Sequence, residues 1–167
     1  EFEAAKNLEF VSKKLREVTL GFNLAYVFSR VHLRDSCDIA DPLCDPDNAT
    51  DVSTSRVRPL QGQAPIVANA YIDWERKRSG TNLRLLYNGV TRNIAFVGGN
   101  HLPDTYVEAI HQLDFVGRQR IYKGLAALLQ VQNMMTWPIR WRQGSERAIN
   151  YQVFPGATIM IGLAYEL

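Results

Sequence analysis

The chain has 167 residues, with 19 Lys plus Arg against 17 Asp plus Glu, and 46% of its residues are hydrophobic. A net charge of +2 predicts no nucleic-acid partner, and the length suits one domain. No apolar run approaches the roughly 18 residues of a membrane-spanning helix, and residues 1–8 lack the apolar core of a signal peptide. A membrane strand needs only about 9–11 residues and one apolar face, so alternation becomes the informative pattern.

Seven segments alternate apolar with polar or small residues at the period of a β-strand. In chain order they are residues 2–11, 18–28, 66–75, 82–88, 111–115, 124–133 and 158–167. The second segment is the clearest, because Leu20, Phe22 and Leu24 share one side and Asn23 lies on the other. The first segment also suits a helix, and the fifth and sixth alternate less regularly. The pattern predicts an all-β fold of about seven strands.

The connections between these segments alternate in length. Short connections fall at residues 12–17, 77–80 and 117–123, and long ones at residues 34–63, 91–108 and 134–151. Barrels of the bacterial outer membrane show this asymmetry, with tight periplasmic turns and long external loops. An interfacial girdle of such a barrel accounts for aromatic residues near the predicted strand ends: Tyr26, Phe28, Trp74, Tyr87, Phe115 and Tyr165. A soluble β-sandwich explains the same alternation, because it also buries one face of each strand.

Several local motifs follow one another from residue 58 onward. They are the run Arg58-Pro59-Leu60-Gln61-Gly62-Gln63-Ala64-Pro65 before a strand, then Leu85, Tyr87, Asn88 and Gly89, then Leu113 and Asp114, then Val131 and Asn133, and finally Tyr151, Pro155 and Gly156. In this order the motifs resemble the C-terminal part of the barrel of TonB-dependent outer-membrane receptors. The resemblance covers the chain from about Leu8 onward. Met134 stands where the family usually has Leu, and Ala157 stands where Arg often follows the Gly.

The last residues are similar to the outer-membrane assembly signal. Gly162 is followed three and five positions later by Tyr165 and Leu167, although the family usually ends in Phe. A closing strand must offer an unsatisfied edge to the insertion machinery, and its outward side chains must enter lipid. These three residues are the predicted assembly signal.

The resemblance implies a transmembrane antiparallel β-barrel segment, about seven strands of a barrel of roughly 22. The parent protein would be an active transporter in the bacterial outer membrane that imports a scarce or bulky ligand, with this segment supplying wall and external loops. Its partners would be outer-membrane lipid, the barrel assembly machinery, the remaining strands and the plug of the same receptor, and a TonB-type energy-coupling protein that acts through that plug. Because plug and earlier strands are absent from the sequence, we expect a fragment.

The same resemblance assigns the two faces of the strands. We expect lipid contact on one face, from Leu20, Phe22, Leu24, Ile159, Ile161 and Leu163, and a lumen on the other, lined by Asn23, Asp73, Arg84 and Glu166. No ligand-binding residue is assigned. We expect no cofactor and no enzymatic activity, because the Ser and His residues show no triad-like arrangement.

Two alternatives to the receptor remain open. One is a passive or structural outer-membrane barrel in an envelope complex, and the other is a soluble secreted β-sandwich that binds a ligand through its loops. Asp45, Asp47 and Asp51 have a spacing that a calcium loop would allow, but no Gly and no bidentate Glu follow them. Polar turn chemistry around Pro42 and Pro46 explains the same residues without a metal, and we assign none.

Cys37 and Cys44 lie in a polar, Pro-containing stretch. A loop disulfide in an oxidising, extracytoplasmic place and a pair of reduced thiols in a cytosolic protein are both compatible with this spacing. The absence of a nearby His at ligand spacing disfavours zinc.

We predict that Cys37 and Cys44 form a disulfide. The bond closes a short loop that restrains few unfolded conformations, so its stabilisation is at most about 2–3 kcal/mol. Thiol titration of the denatured, non-reduced protein should detect no free thiol, whereas two free thiols would refute the bond.

Overall fold

A computed structural model describes residues 1–32, 57–98, 102–144 and 149–165. The described residues form antiparallel strands and two short 3-10 helices, Leu8–Phe10 and Lys13–Leu15. The strands are β1 Phe2–Asn7, β2 Val18–Tyr26, β3 Val31–His32, β4 Val57–Arg58, β5 Ile66–Arg76, β6 Thr81–Val90, β7 Asn93–Phe96, β8 Thr105–Val107, β9 Ile110–Tyr122, β10 Leu125–Gln132, β11 Ile139–Gln143, β12 Ile149–Val153 and β13 Thr158–Tyr165. In this part of the chain no helix is long and apolar enough to cross a membrane.

Seven strands form one antiparallel sheet in the order β1-β2-β5-β6-β9-β10-β13. Each of the seven predicted segments contributes one strand, so the all-β prediction is confirmed. Two boundaries differ by more than two residues from the prediction: β1 ends at Asn7, and β9 continues to Tyr122 through the predicted short connection. The second difference arises because residues 118–122 are exposed yet belong to a strand that pairs with β6 and β10.

The long connections are more regular than the sequence suggested. Their described parts contain a four-stranded sheet of order β12-β11-β8-β7 and the small β3-β4 hairpin. The four-stranded sheet continues the hairpins β6-β9 and β10-β13 beyond the ends of the long strands. Its strands have three to five residues each, too few for alternation alone to separate them from loops.

The register divides the seven-stranded sheet into two unlike faces. One row of directly paired residues is Leu20, Ile72, Leu85, Phe115, Val131 and Ile159, which is apolar across six strands. The neighbouring row on the opposite side is Asn7, Thr19, Asp73, Arg84, Val116, Gln130 and Met160. We call these sides the apolar face and the polar face. The polar face also carries some apolar residues, such as Leu86 and Leu128.

The sheet is a single open layer. Among the described residues the buried apolar side chains are Ala64, Ile94 and Ala126, and none of them belongs to the apolar face. The order ends at β1 on one side and β13 on the other, so the sheet does not close into a barrel. A β-sandwich would bury the apolar face against a second layer, and the described residues provide no such layer.

On the polar face, Gly21 makes room for a neighbouring aromatic ring. A Cβ atom at Gly21 would lie 2.3 Å from the Tyr71 ring, because Tyr71 is its direct partner on β5. The Arg84 guanidinium lies 5.1 Å from the centre of that ring and forms an ion pair with Asp73. Asn82 Nδ2 donates to the other Asp73 oxygen at 2.9 Å. Because Gly21 has no side chain, the Tyr71 ring fits beside it, where the ring contacts the Arg84 guanidinium.

We predict that Gly21→Ala lowers the free energy of unfolding by about 1–3 kcal/mol, because the new methyl must displace the Tyr71 ring. Gly162→Ala is the matched control on the polar face, since its Cβ would lie 3.8 Å from the nearest atom, Leu128 Cβ. Urea titration should show little penalty for Gly21→Ala when Tyr71→Ala is already present. A penalty that is unchanged by Tyr71→Ala would contradict the explanation.

Candidate functional site

The apolar face carries many exposed apolar side chains. Ile161 is 82% exposed and Leu163 is 72% exposed on the edge strand, and in the sheet interior Phe22 and Ile72 remain 45% and 49% exposed. The polar exceptions on this face lie at or near strand ends: Lys6, Arg76, Thr81, His111 and Gln119. Soluble monomers rarely expose a continuous apolar patch of this extent. The face therefore needs an apolar environment.

Aromatic side chains stand at both ends of the apolar face. Trp74 and Tyr165 lie near the short turns, while Tyr26 ends β2 at the side of the long connections. Phe115 departs from the predicted girdle, because it pairs with Leu85 and Val131 in the middle of the sheet. It belongs to the apolar row rather than to an end.

A row of side-chain amides crosses the polar face. Asn23, Asn69, Asn88 and Gln112 are successive register partners on β2, β5, β6 and β9. Gln112 Nε2 donates to both oxygens of Asp114 at 2.9 Å. The amide row adds uncharged donors and acceptors to the charged Asp73 and Arg84 on this face, and such a face is suited to water or a polar solute.

Asn133 joins three strands at the long-connection end. Its backbone has a φ of 53°, in the left-handed region that few residues other than Gly and Asn adopt. Its N–H donates to Asp114 Oδ1 at 2.8 Å, its Nδ2 donates to the Gly156 carbonyl at 2.7 Å, and its Oδ1 accepts from the Trp137 N–H. Asp114, Asn133 and Gly156 come from three separate sequence motifs, and the structure brings them into one network.

A charged cluster lies on the four-stranded sheet. Glu108 Oε1 is 3.5 Å from Arg92 Nε and 3.8 Å from Arg142 Nε. The Arg92 guanidinium also lies 4.0 Å from the centre of the Tyr106 ring, and its Nη2 donates to the Gly144 carbonyl. This cluster is not apparent from the sequence. Its residues are far apart in the chain, and only the pairing of β8 with β7 and β11 brings them together.

Asp104 is a buried acid at the edge of the same sheet. It is 5% exposed, lies 3.4 Å from Arg58 Nη1 and accepts the Gly98 N–H at 2.8 Å. Its backbone carbonyl accepts the Gly144 N–H. These contacts connect β4 with the ends of β7 and β11, so Asp104 fixes the sheet that carries the charged cluster.

The predicted site residues are only partly within the described chain. Gly162 lies on the polar face opposite Leu128, whereas Tyr165 points to the apolar face, is 67% exposed and pairs with Leu125. The last strand pairs along its length with β10, from Leu125 to Gln132. Leu167, Glu166, Cys37, Cys44 and the Asp45 to Asp51 stretch lie outside the described residues. Within the described ranges no group of His, Cys, Asp or Glu is placed to hold a metal ion.

Comparison of the chain with protein-family models, curated proteins and solved structures finds no match. What the structure itself defines is an antiparallel β-protein with one exposed apolar face and one polar face.

We predict that Asn133→Ala lowers the free energy of unfolding by about 2–4 kcal/mol, because it removes two side-chain hydrogen bonds and places Ala in the left-handed region. Asn133→Gly should cost less by about 1 kcal/mol, since Gly adopts this φ freely. Urea titration of both variants separates the amide contribution from the backbone contribution. Equal losses for Ala and Gly would contradict a role for the backbone conformation.

Proposed function

We propose that the chain is part of the barrel wall of a TonB-dependent receptor in the bacterial outer membrane, an active importer of a scarce or bulky ligand. The observation that carries the proposal is the apolar row from Leu20 to Ile159, which lies on the opposite side of the sheet from the polar face. In this row Leu20, Ile72 and Ile159 are exposed and the other three residues are half-buried. Strands of outer-membrane barrels alternate in this way, with apolar side chains toward lipid and polar ones toward the lumen.

The dimensions of the strands support this proposal. β5, β6 and β9 have 11, 10 and 13 residues, close to the roughly 9–11 residues with which a tilted strand crosses a bilayer. The turns after β5 and β9 are short, while the four-stranded sheet and the β3-β4 hairpin extend from the other end. Under the proposal the short turns are periplasmic and the extensions are external loops.

The pairing of the strands supports it as well. A bilayer core offers no water to backbone groups, so spanning strands must satisfy them by pairing. The five inner strands of the large sheet have partners on both sides. The outer edges of β1 and β13 would pair with the remaining barrel strands of the same receptor.

The choice of a receptor over another barrel rests on the motifs. Asp114, Asn133 and Gly156 hold β9, β10 and the approach to β13 together, which gives a structural role to three elements of the resemblance. The proposed partners are outer-membrane lipid, the assembly machinery, the plug, and a TonB-type protein that acts through the plug. A passive or structural barrel shares the strand pattern, and a plug-coding sequence upstream in the gene would distinguish the receptor from it.

A soluble secreted β-sandwich is the second candidate, favoured only by the general alternation of the strands. Such a protein needs a layer over the apolar face, and the described residues leave Phe22, Ile72 and Ile161 exposed there.

We predict that Ile161→Arg strongly reduces membrane insertion. Arg near the bilayer midplane on the lipid side of a barrel costs about 2–4 kcal/mol. Met160→Arg is the matched control, because the adjacent residue lies on the polar face, where the charge meets water. The measurement is the folding yield of the full-length parent into phospholipid vesicles, read by protease protection. Equal yields for the two variants would show that the face assignment or the membrane is wrong.

We predict that removal of residues 165–167 from the full-length parent reduces its insertion far more than its ligand affinity in the protein that does insert. The closing strand loses its terminal outward side chains, which the assembly machinery reads. The measurement is the amount of heat-modifiable, protease-protected receptor in outer membranes. Normal amounts of truncated receptor would contradict the assembly signal, and a protein that is soluble without detergent would contradict the proposed function.

A further inference from the structure

Among the described residues, one side of the four-stranded sheet carries more Arg side chains than Asp and Glu side chains. Arg142 pairs with Tyr106, and Tyr106 with Ile94, so these side chains share a face. Strand alternation places Arg140 and Glu108 on this face, and Arg92 reaches it through its contacts with Tyr106 and Glu108. Among the described residues, three guanidinium groups on this face therefore accompany one carboxylate, that of Glu108. Arg140 is engaged by Gln152, with Nε donating to Oε1 at 2.9 Å, so its local partner is neutral.

Arg142 is the least satisfied member of the cluster. Its Nε is shielded from solvent and has no hydrogen-bond partner, because Glu108 Oε1 at 3.8 Å is beyond hydrogen-bond distance. The side chain as a whole is 29% exposed, so its outer part remains accessible. A guanidinium group has five N–H donors in a planar fork that matches carboxylate or phosphate oxygens. Arg142 therefore has donor capacity that the described protein leaves unused.

Arg92 is held in position beside it. The Tyr106 ring supports its guanidinium at 4.0 Å, and the Gly144 carbonyl fixes Nη2 at 2.9 Å. Its side chain is 43% exposed. Because both Arg92 and Arg142 approach the same Glu108 oxygen, their guanidinium groups converge on one point. An entering anion meets two nearby cations, one of which is already oriented.

We infer that Arg92 and Arg142, supported by Tyr106, form a binding site for an oxyanion group, a carboxylate or phosphate of a soluble ligand. The inference rests on the proposed function, since it names the substrate class of the imported ligand at the external end of the barrel. Glu108 occupies the site when the anion is absent and competes with it. The binding is a non-covalent exchange of the Glu108 carboxylate for the ligand oxyanion.

The test uses the full chain purified in neutral detergent, with citrate and inorganic phosphate as probes in calorimetric titrations at low ionic strength. Arg92→Gln and Arg142→Gln should each weaken citrate binding about tenfold or more, because each removes a charge-assisted contact. Arg142→Lys should also weaken it, since Lys keeps the charge without the planar fork. Arg78→Gln, in the β5-β6 turn at the opposite end, is the control of equal charge change and should leave binding unchanged.

Glu108→Gln provides a readout that a structural role would not produce. Removal of the competing carboxylate should tighten citrate binding, whereas simple loss of structure would weaken it. Equal weakening by Arg78→Gln and Arg142→Gln, or no binding of either probe by the folded chain, would overturn the inference.

Two further measurements distinguish a soluble ligand from a lipid headgroup, and failure of the anion site from failure of the proposed function. Binding to anionic phosphatidylglycerol bicelles without binding to citrate or phosphate would assign the site to a lipid headgroup and overturn the soluble ligand. Heat-modifiable mobility in the same preparation reports membrane insertion independently. A heat-modifiable protein that binds no anion would refute only the anion site, whereas a detergent-independent soluble protein would refute the proposed function.

Discussion

The antiparallel hydrogen-bond ladder from β1 to β13 is the interaction on which the rest of the structure depends. It aligns residues of equal parity across seven strands, so that alternation within each strand becomes a whole apolar face and a whole polar face. A shift of one residue in any pairing would move apolar side chains to the polar face, and register is therefore tightly constrained. The row from Leu20 to Ile159 and the amide row from Asn23 to Gln112 are two consequences of one register.

The two ends of the sheet are built differently. At the short-turn end the chain reverses within a few residues, as at Gly80, whose φ of 66° suits a tight turn. At the other end Asn133 and Asp104 use side-chain hydrogen bonds to connect segments distant in sequence. These polar contacts stabilise a small second sheet that carries Arg92, Glu108 and Arg142. Under the proposed function, the short-turn end faces the periplasm, and the end that carries the four-stranded sheet faces the ligand.

Strands such as β2 and β5 were predictable from sequence because alternation over 9 and 11 residues indicates a strand rather than a helix. The segment of β1 was less clear, since it also suits a helix. The end of β9 was not predictable, since Arg118 and Arg120 are polar residues whose pairing depends on neighbouring strands. The short strands β7, β8, β11 and β12 fall below the length at which a period can be recognised. The family resemblance pointed to the motif residues Asp114, Asn133 and Gly156, but the sequence did not predict that they share one hydrogen-bond network. The charged cluster was missed entirely, because Arg92, Glu108 and Arg142 meet only through tertiary pairing.

Under the proposed function the apolar face contacts lipid, and spin-label accessibility along β13 measures this contact residue by residue. Each residue from Thr158 to Tyr165 is replaced in turn by a labelled Cys, with Cys37 and Cys44 changed to Ser, in the full-length parent reconstituted into phospholipid vesicles. Accessibility should alternate with a period of two: labels at Ile159, Ile161 and Leu163 should be accessible to oxygen dissolved in the bilayer, and labels at Thr158, Met160 and Gly162 to a water-soluble nickel chelate. Uniform access of the nickel chelate to all positions would contradict it.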